Sequence, residues 1–230
     1  MKEKLLILHG AGGSKDRFDK IASKLEKHFD IYRLNFAGHG GEKFPDEPFS
    51  IDLFAHNVID FLNYHEIRQI NIFGYSMGGF VAIYVASRFP DRVLKIFTLG
   101  TKFNWSKETV KQQIKLLDTD VIEEKRPDYA AELARLHLPN DWKEVISRTM
   151  DMIKEMGKKN PLNDDDLADL NIPVLISMGD RDNLVIIEES VFSYRLLKKG
   201  QLLILPDTPH PIHNTNPDTL ARAIRRFIEG

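Results

Sequence analysis

The sequence predicts an α/β fold: a mostly or wholly parallel sheet of about six strands, with helices on both faces and a helical cap inserted late in the chain. Three observations predict it. Short apolar runs recur along the 230 residues, with stretches of helical spacing between them. The alternation stops between roughly Thr101 and Ala168, where charges of both signs interleave with a helical pattern, and then resumes. The chain is long enough for one large domain and too short for two generous ones, so the interruption reads as an insertion.

Taken in order, the first strand is Lys4 to Leu8, and Phe18, Ile21, Ala22, Leu25 and Phe29 follow at helical spacing. A second strand, Phe29 to Asn35, precedes a helix carrying Val58, Phe61, Leu62 and His65, with Ser50 as a plausible N-cap. The third strand, Gln69 to Phe73, leads through glycines into the apolar helix of Phe80, Val81, Ile83, Tyr84 and Val85. Gln69 to Ser87 carries no formal charge, but its glycines, tyrosines and serines read as strand, turn and buried helix, not as a membrane span. Val93 to Leu99 is the fourth strand. Within the insertion, Val110, Ile114 and Leu117 form one helical set, and Trp142, Val145, Ile146, Ile153 and Met156 another. Ile172 to Met178 and Gln201 to Leu205 complete the sheet. Strands separated by helices pair in parallel, because a parallel neighbour needs a long crossover. The expected division is a core of residues 1–100 and 169–230 and a cap of residues 101–168. Ligands of such sheets sit at the carboxyl ends of the strands.

Composition narrows the function. Hydrophobic residues make up 42% and charged residues 29% of the chain, as in soluble globular proteins, and the formal net charge is −2. Nothing in this balance suits a nucleic acid or an anionic membrane surface. The expected partner is a small molecule. The chain has no cysteine, hence no disulfide, thiolate metal site or cysteine nucleophile. An apolar strand begins within a few residues of Met1, so no signal peptide is read, and the expected location is the cytoplasm.

Gly74-Tyr75-Ser76-Met77-Gly78-Gly79 carries the clearest chemistry. It is a G-x-S-x-G pattern between a strand and a helix, the context in which a serine sits on a strained turn at the rim of a sheet. The helix N-terminus then faces the charge that develops on attack. A serine hydroxyl needs a base to take its proton, and that base needs an orienting group. Two later strand ends supply candidates. Gly179-Asp180-Arg181-Asp182 offers Asp182 as the acid, with Asp180 as the alternative, better suited to capping its own turn. Pro206-Asp207-Thr208-Pro209-His210 offers His210 as the base, in competition with His213. His9-Gly10-Ala11-Gly12-Gly13-Ser14 lacks the spacing of nucleotide-binding loops. It suits an oxyanion loop in which the Ala11 and Met77 N–H groups face an acyl oxygen.

His9-Gly10 with its glycines, Phe36-Ala37-Gly38-His39-Gly40, the Ser76 elbow, the Gly179 to Asp182 turn and His210 together resemble the α/β-hydrolase family, in its order and over nearly the whole chain outside the insertion. The resemblance implies Ser76 as nucleophile, His210 as base, Asp182 as acid, Ala11 and Met77 as oxyanion donors, and His9 and His39 as loop-structuring residues. The two extra strands that commonly open the family core are missing. By family strand order Phe29 to Asn35 becomes an exposed edge, leaving monomer or homodimer open. No cofactor or metal is implied: Asp164-Asp165-Asp166 lacks calcium-loop spacing, and a metal on His210 and His213 would occupy the base.

The expected activity is serine-hydrolase cleavage of a small to medium carboxylic ester through an acyl-enzyme. Tyr75, Phe103, Trp105 and Trp142 are the expected substrate contacts, and Leu116, Leu117 and Met152 are available to roof an apolar pocket. Thioester, amide, lactone or carbon–carbon hydrolysis would use the same triad. A triad-bearing ligand receptor is the rival from another class.

Overall fold

The structure, a computed structural model, describes residues 2–230. Its sheet has six strands: β1 (Glu3–Leu8), β2 (Phe29–Leu34), β3 (Ile70–Tyr75), β4 (Val93–Leu99), β5 (Val174–Arg181) and β6 (Gly200–Pro209). They lie in the order β2-β1-β3-β4-β5-β6, every pair parallel. The central strands are apolar on both faces, since helices cover both. In β1, Leu5, Leu6, Ile7 and Leu8 are all fully buried. The register places Leu8 beside Gly74, Gly74 beside Thr98, and Leu99 beside Ser177. The carboxyl ends of the central strands therefore finish level with one another.

Ten α-helices are described: α1 (Asp19–Leu25), α2 (Ile51–Tyr64), α3 (Met77–Arg88), α4 (Lys107–Leu116), α5 (Thr119–Lys125), α6 (Pro127–His137), α7 (Trp142–Lys158), α8 (Asp164–Ala168), α9 (Ile187–Leu196) and α10 (Pro217–Glu229). Helices α1 and α10 bury Ile21, Leu25, Leu220, Ile224 and Phe227 against Ile7, Phe73 and Phe97 on one face. Helices α2 and α3 pack Phe54, Val58, Phe80 and Val81 against Leu6, Ile72 and Ile96 on the other. Ser50 caps α2 by accepting from the Leu53 amide at 3.0 Å, as its position in the sequence suggests.

Outside the insertion, two helices fall beyond what the sequence patterns show. Helix α10 had a legible signal in its Asn216 cap, Pro217 and five buried apolar positions. Helix α9 had none, because it buries Ser190 and Ser193 and exposes Ile187 and Phe192. Strands β5 and β6 also run further than their apolar stretches: Gly179 still pairs with Leu205 and Arg181 with Pro209. Polar residues there join the sheet because a neighbouring strand holds them, which no local pattern announces.

The connection from β4 to β5 is helical throughout α4–α8. Its long helix α7 faces two ways. Val145, Met152 and Met156 join the main core, while Trp142 and Ile146 pack with Ile122, Ala130 and Leu133 in a small cluster of their own. The Asp164 to Asp166 run forms the first turn of α8, where Asn163 and Asp166 make a reciprocal capping box and Asp166 pairs with Arg88 at 2.6 Å. Glu189 on α9 ties the start of the connection down, accepting from the Phe103 and Asn104 amides at 2.7 and 2.8 Å and from Lys102 at 2.9 Å.

Candidate active site

Ser76 ends β3 and precedes α3 with φ 52° and ψ −118°. Such a conformation costs a non-glycine residue about 1–3 kcal/mol, so the surroundings must enforce it. The Ser76 amide donates to the Leu99 carbonyl at 2.8 Å, and the Thr101 hydroxyl donates to the Ser76 carbonyl at 3.1 Å. Gly78 is required by close approach: a Cβ there would lie 2.4 Å from the Leu8 carbonyl oxygen. The first amides of α3 have no partner inside the helix. Among the described residues neither the Met77 nor the Ala11 amide makes a hydrogen bond, and both residues line the cavity that Ser76 faces.

His210 follows β6, and its Nδ1 lies 2.7 Å from Asp182 Oδ2. Asp182 Oδ1 accepts from the Leu184 and Val185 amides at 2.8 and 2.9 Å. Burial pushes the Asp182 carboxyl upward, but the bonds from His210 and from the two amides outweigh it and hold the group below the usual carboxylate value. An ionised Asp182 keeps the His210 proton on Nδ1 and leaves Nε2 as the acceptor. The serine-to-Nε2 hydrogen bond is absent from the structure, and such contacts commonly shorten only once substrate is bound.

The competing residues lie elsewhere. Asp180 accepts from the Thr208 amide at 3.2 Å and stands near Arg181. His213 is exposed on a short turn at the cavity wall. Tyr75 donates its hydroxyl to the His210 carbonyl at 2.9 Å, with the two rings 5.4 Å apart. Burial, and then the Asp182 charge, push its phenol pKa upward, so it remains a neutral donor. Gly100, at φ +60°, passes beneath the pair, and a Cβ there would meet His210 Cε1 at 3.1 Å and Asp182 Oδ2 at 3.2 Å. Neither Gly100 nor Thr101 could be singled out in the sequence, because their role is to leave room for, or brace, residues distant in the chain.

Three histidines hold the loops around the site. His9 donates from Nδ1 to the Gly10 carbonyl at 2.8 Å, and its Nε2 accepts from the Phe36 amide at 3.1 Å. His137, on α6, accepts from the Gly40 amide at 3.0 Å and donates to the Gly12 carbonyl at 3.1 Å. His39 lies between them, its ring centroid 5.2 Å from His9 and 5.8 Å from His137. Burial pushes His9 down to about 3 and lowers His39 and His137 too. All three are neutral at pH 7. His137 was invisible to the sequence reading, since a lone histidine in a helical stretch carries no sign of its partners.

The cavity is about 470 Å³, and its apolar wall includes Phe80, Trp105, Met152, Ile153 and Met156. Tyr75 and Trp105 line it; Phe103 and Trp142 do not. Of the four expected substrate contacts, Tyr75 and Trp105 thus stand on the cavity wall, and Phe103 and Trp142 stand behind it. Phe103 stacks on Phe80 at 6.1 Å within the main core, and Trp142 fills the small cluster beside Ile122 and Leu133. Large aromatic rings in an insertion serve its own packing as readily as a pocket.

A parallel sheet with a strained serine and a histidine–carboxylate couple at its carboxyl edge defines a serine hydrolase. The chain belongs to the alpha/beta hydrolase fold family, whose model matches residues 4–217. It is 24% identical to a pimeloyl-(acyl-carrier protein) methyl ester esterase of Neisseria meningitidis, over 99% of this chain and 94% of that protein. It is also 24% identical to the serine hydrolase BPHL of Mus musculus, over 98% and 79% of the two chains. Among solved structures, the enol-lactonase of Burkholderia xenovorans superposes with a TM-score of 0.80 at 19% identity, covering 100% of this chain and 92% of that one. A thermophilic esterase of Thermogutta terrifontis gives 0.81 at 19% identity, with 100% and 90% covered. No helix among the described residues is long and apolar enough to cross a membrane.

Proposed function

We propose that this protein hydrolyses a carboxylic ester of small to medium size through an acyl-enzyme on Ser76, with His210 as base, Asp182 as its orienting acid, and the Ala11 and Met77 amides as oxyanion donors. The observation that carries this reading is the 2.7 Å His210–Asp182 couple, on the same cavity as a serine held at positive φ. Ser76 Oγ attacks the ester carbonyl while His210 Nε2 takes its proton. The negative oxygen of the tetrahedral intermediate lies against the two free amides. His210 returns the proton to the departing alkoxide, and a water activated by the same nitrogen then releases the acid. Tyr75 supports His210 from its carbonyl side, and Trp105 contributes to the wall that receives the acyl chain.

The helices of residues 101–168 act as the cap over this cavity. A carboxylic ester agrees with the methyl ester named for the Neisseria relatives and with the apolar wall. The reading includes a cytoplasmic enzyme that acts on a small-molecule acyl substrate, as a monomer or as a homodimer through the β2 edge.

A fluorophosphonate probe tests the nucleophile. Labelling is expected at Ser76 and is expected to vanish in Ser76→Ala, together with hydrolysis of p-nitrophenyl esters. Undiminished labelling of the variant would remove Ser76 from the mechanism.

A further inference from the structure

The cavity has an electrostatic polarity that ester hydrolysis alone does not call for. Among the described residues lining it, Arg17, Lys102 and Arg126 carry positive charge, and there is no aspartate or glutamate. Lys102 is neutralised by Glu189 at 2.9 Å, and that carboxylate is further occupied by two backbone amides. The two arginines are less fully compensated. Arg17 has a side chain only 12% exposed, and its guanidinium, with five donors available, meets one carboxylate oxygen of Glu132 at 3.1 Å. Arg126 pairs with no carboxylate among the described residues and donates one Nη2 bond to the Leu116 carbonyl at 3.2 Å. Both guanidinium groups lie against one ring, at 6.0 Å and 5.0 Å from the centroid of Tyr129. Two like charges are thus brought around a single phenol, and of the two only Arg17 has a carboxylate partner among the described residues.

Position adds to this. Arg17 follows the loop of Gly10 to Gly13 on the turn Lys15–Phe18, while Arg126 comes from the α5–α6 junction. The core and the β4–β5 connection each contribute one arginine to the same end of a cavity whose remaining wall is largely apolar. A low-dielectric wall strengthens a charge interaction at Arg17, while Arg126 is exposed, and the planar guanidinium fork of either residue matches a carboxylate with two parallel bonds.

We infer that Arg17 and Arg126 form an anion subsite, and that the substrate is an ester carrying a free carboxylate away from the scissile bond, such as a half-ester of a dicarboxylic acid. This rests on the hydrolase reading above. The ester carbonyl lies at Ser76, the methylene chain runs along the apolar wall, and the carboxylate is received between the two guanidinium groups.

The test compares kcat/KM for p-nitrophenyl hydrogen adipate, which has a terminal carboxylate, with that for p-nitrophenyl hexanoate, its neutral counterpart of equal chain length. Hydrogen bonds to charged groups correspond to a preference of about tenfold to a hundredfold for the anionic ester. The adipate-to-hexanoate ratio is expected to fall toward one in Arg126→Gln, whose exposed position spares the fold, and in Arg17→Gln, and to fall below one in Arg126→Glu. Raising the salt concentration should lower the wild-type ratio as well. If hexanoate is turned over and adipate is no better, or if both glutamine variants keep the preference, the anion subsite is overturned and the hydrolase reading stands. If neither ester is turned over and Ser76 takes no phosphonate label, both readings fall together.

Discussion

Ser76, Asp182 and His210 owe their relation to bonds that fix single atoms. Asp182 and Asp180 are two residues apart and chemically identical, yet one carboxylate meets His210 and the other the Thr208 amide. The difference predicts unequal effects. Asp182→Asn cannot hold the proton on Nδ1 as a carboxylate does, and kcat on an activated ester is expected to fall by about 10⁴-fold, the order seen when a triad aspartate is amidated. Asp180→Asn keeps an acceptor for the Thr208 amide and is expected to leave kcat within a few-fold. Steady-state kinetics of the two variants side by side decides the matter, and a larger loss at Asp180 would reverse the assignment. At this scale the sequence was legible where a motif names the atom, as at Ser76. Where two candidates share a residue type it ranked Asp182 above Asp180 and left both open, because the path of the chain after β5 chooses between them.

Among the elements, α6 is tied to the core through His137. Its ring satisfies the Gly40 amide and the Gly12 carbonyl, one from each of two loops beside the cavity. Truncation to His137→Ala leaves the buried Gly12 carbonyl unpaired, at about 1–3 kcal/mol, and the part-buried Gly40 amide without its acceptor at a smaller cost. Urea unfolding is expected to show a loss of that order, with a lower midpoint and an unchanged slope. A variant as stable as the wild type would mean that the helix is not held through this ring. Helical spacing in residues 101–168 was readable because an amphipathic helix must bury one stripe. Which stripe faces the cavity was not: Trp142, expected at the pocket, packs in a local cluster with Ile122 and Leu133.

For the whole molecule, the three buried neutral histidines couple stability to pH. In the unfolded chain a histidine takes a proton near pH 6.5, whereas folded His9, facing His39, His137 and Arg17, does so only at about 3. Between these values the unfolded state binds more protons, so stability rises with pH; it is complete above about pH 6.5 and is lost as the pH falls toward 3. His39 and His137 act in the same direction. Asp182, lowered below 3.8, adds stability that disappears as the pH drops through its folded value. Each histidine contributes a slope of up to about 1.4 kcal/mol per pH unit in this window. Denaturation midpoints measured at pH 7.5, 6.0 and 5.0 should decline steadily, and a flat profile would contradict neutral burial of these rings.

The sequence by itself determined the fold class, the parallel sheet of six strands, the edge position of the strand from Phe29, and the strand–turn–helix setting of Ser76. The edge position is what the family resemblance implies; the rest follows from local periodicity and from one short motif, and local steric and hydrophobic rules act over just such spans of chain. Tertiary structure alone decided that Gly100 and Thr101 make room for and brace the site, that His137 reaches the loop after β1, and that Arg17 and Arg126 meet around Tyr129. The physical reason is sequence separation: His137 and Gly12 are 125 residues apart. A hydrogen bond of about 3 Å between such groups depends on the packing of every element that lies between them.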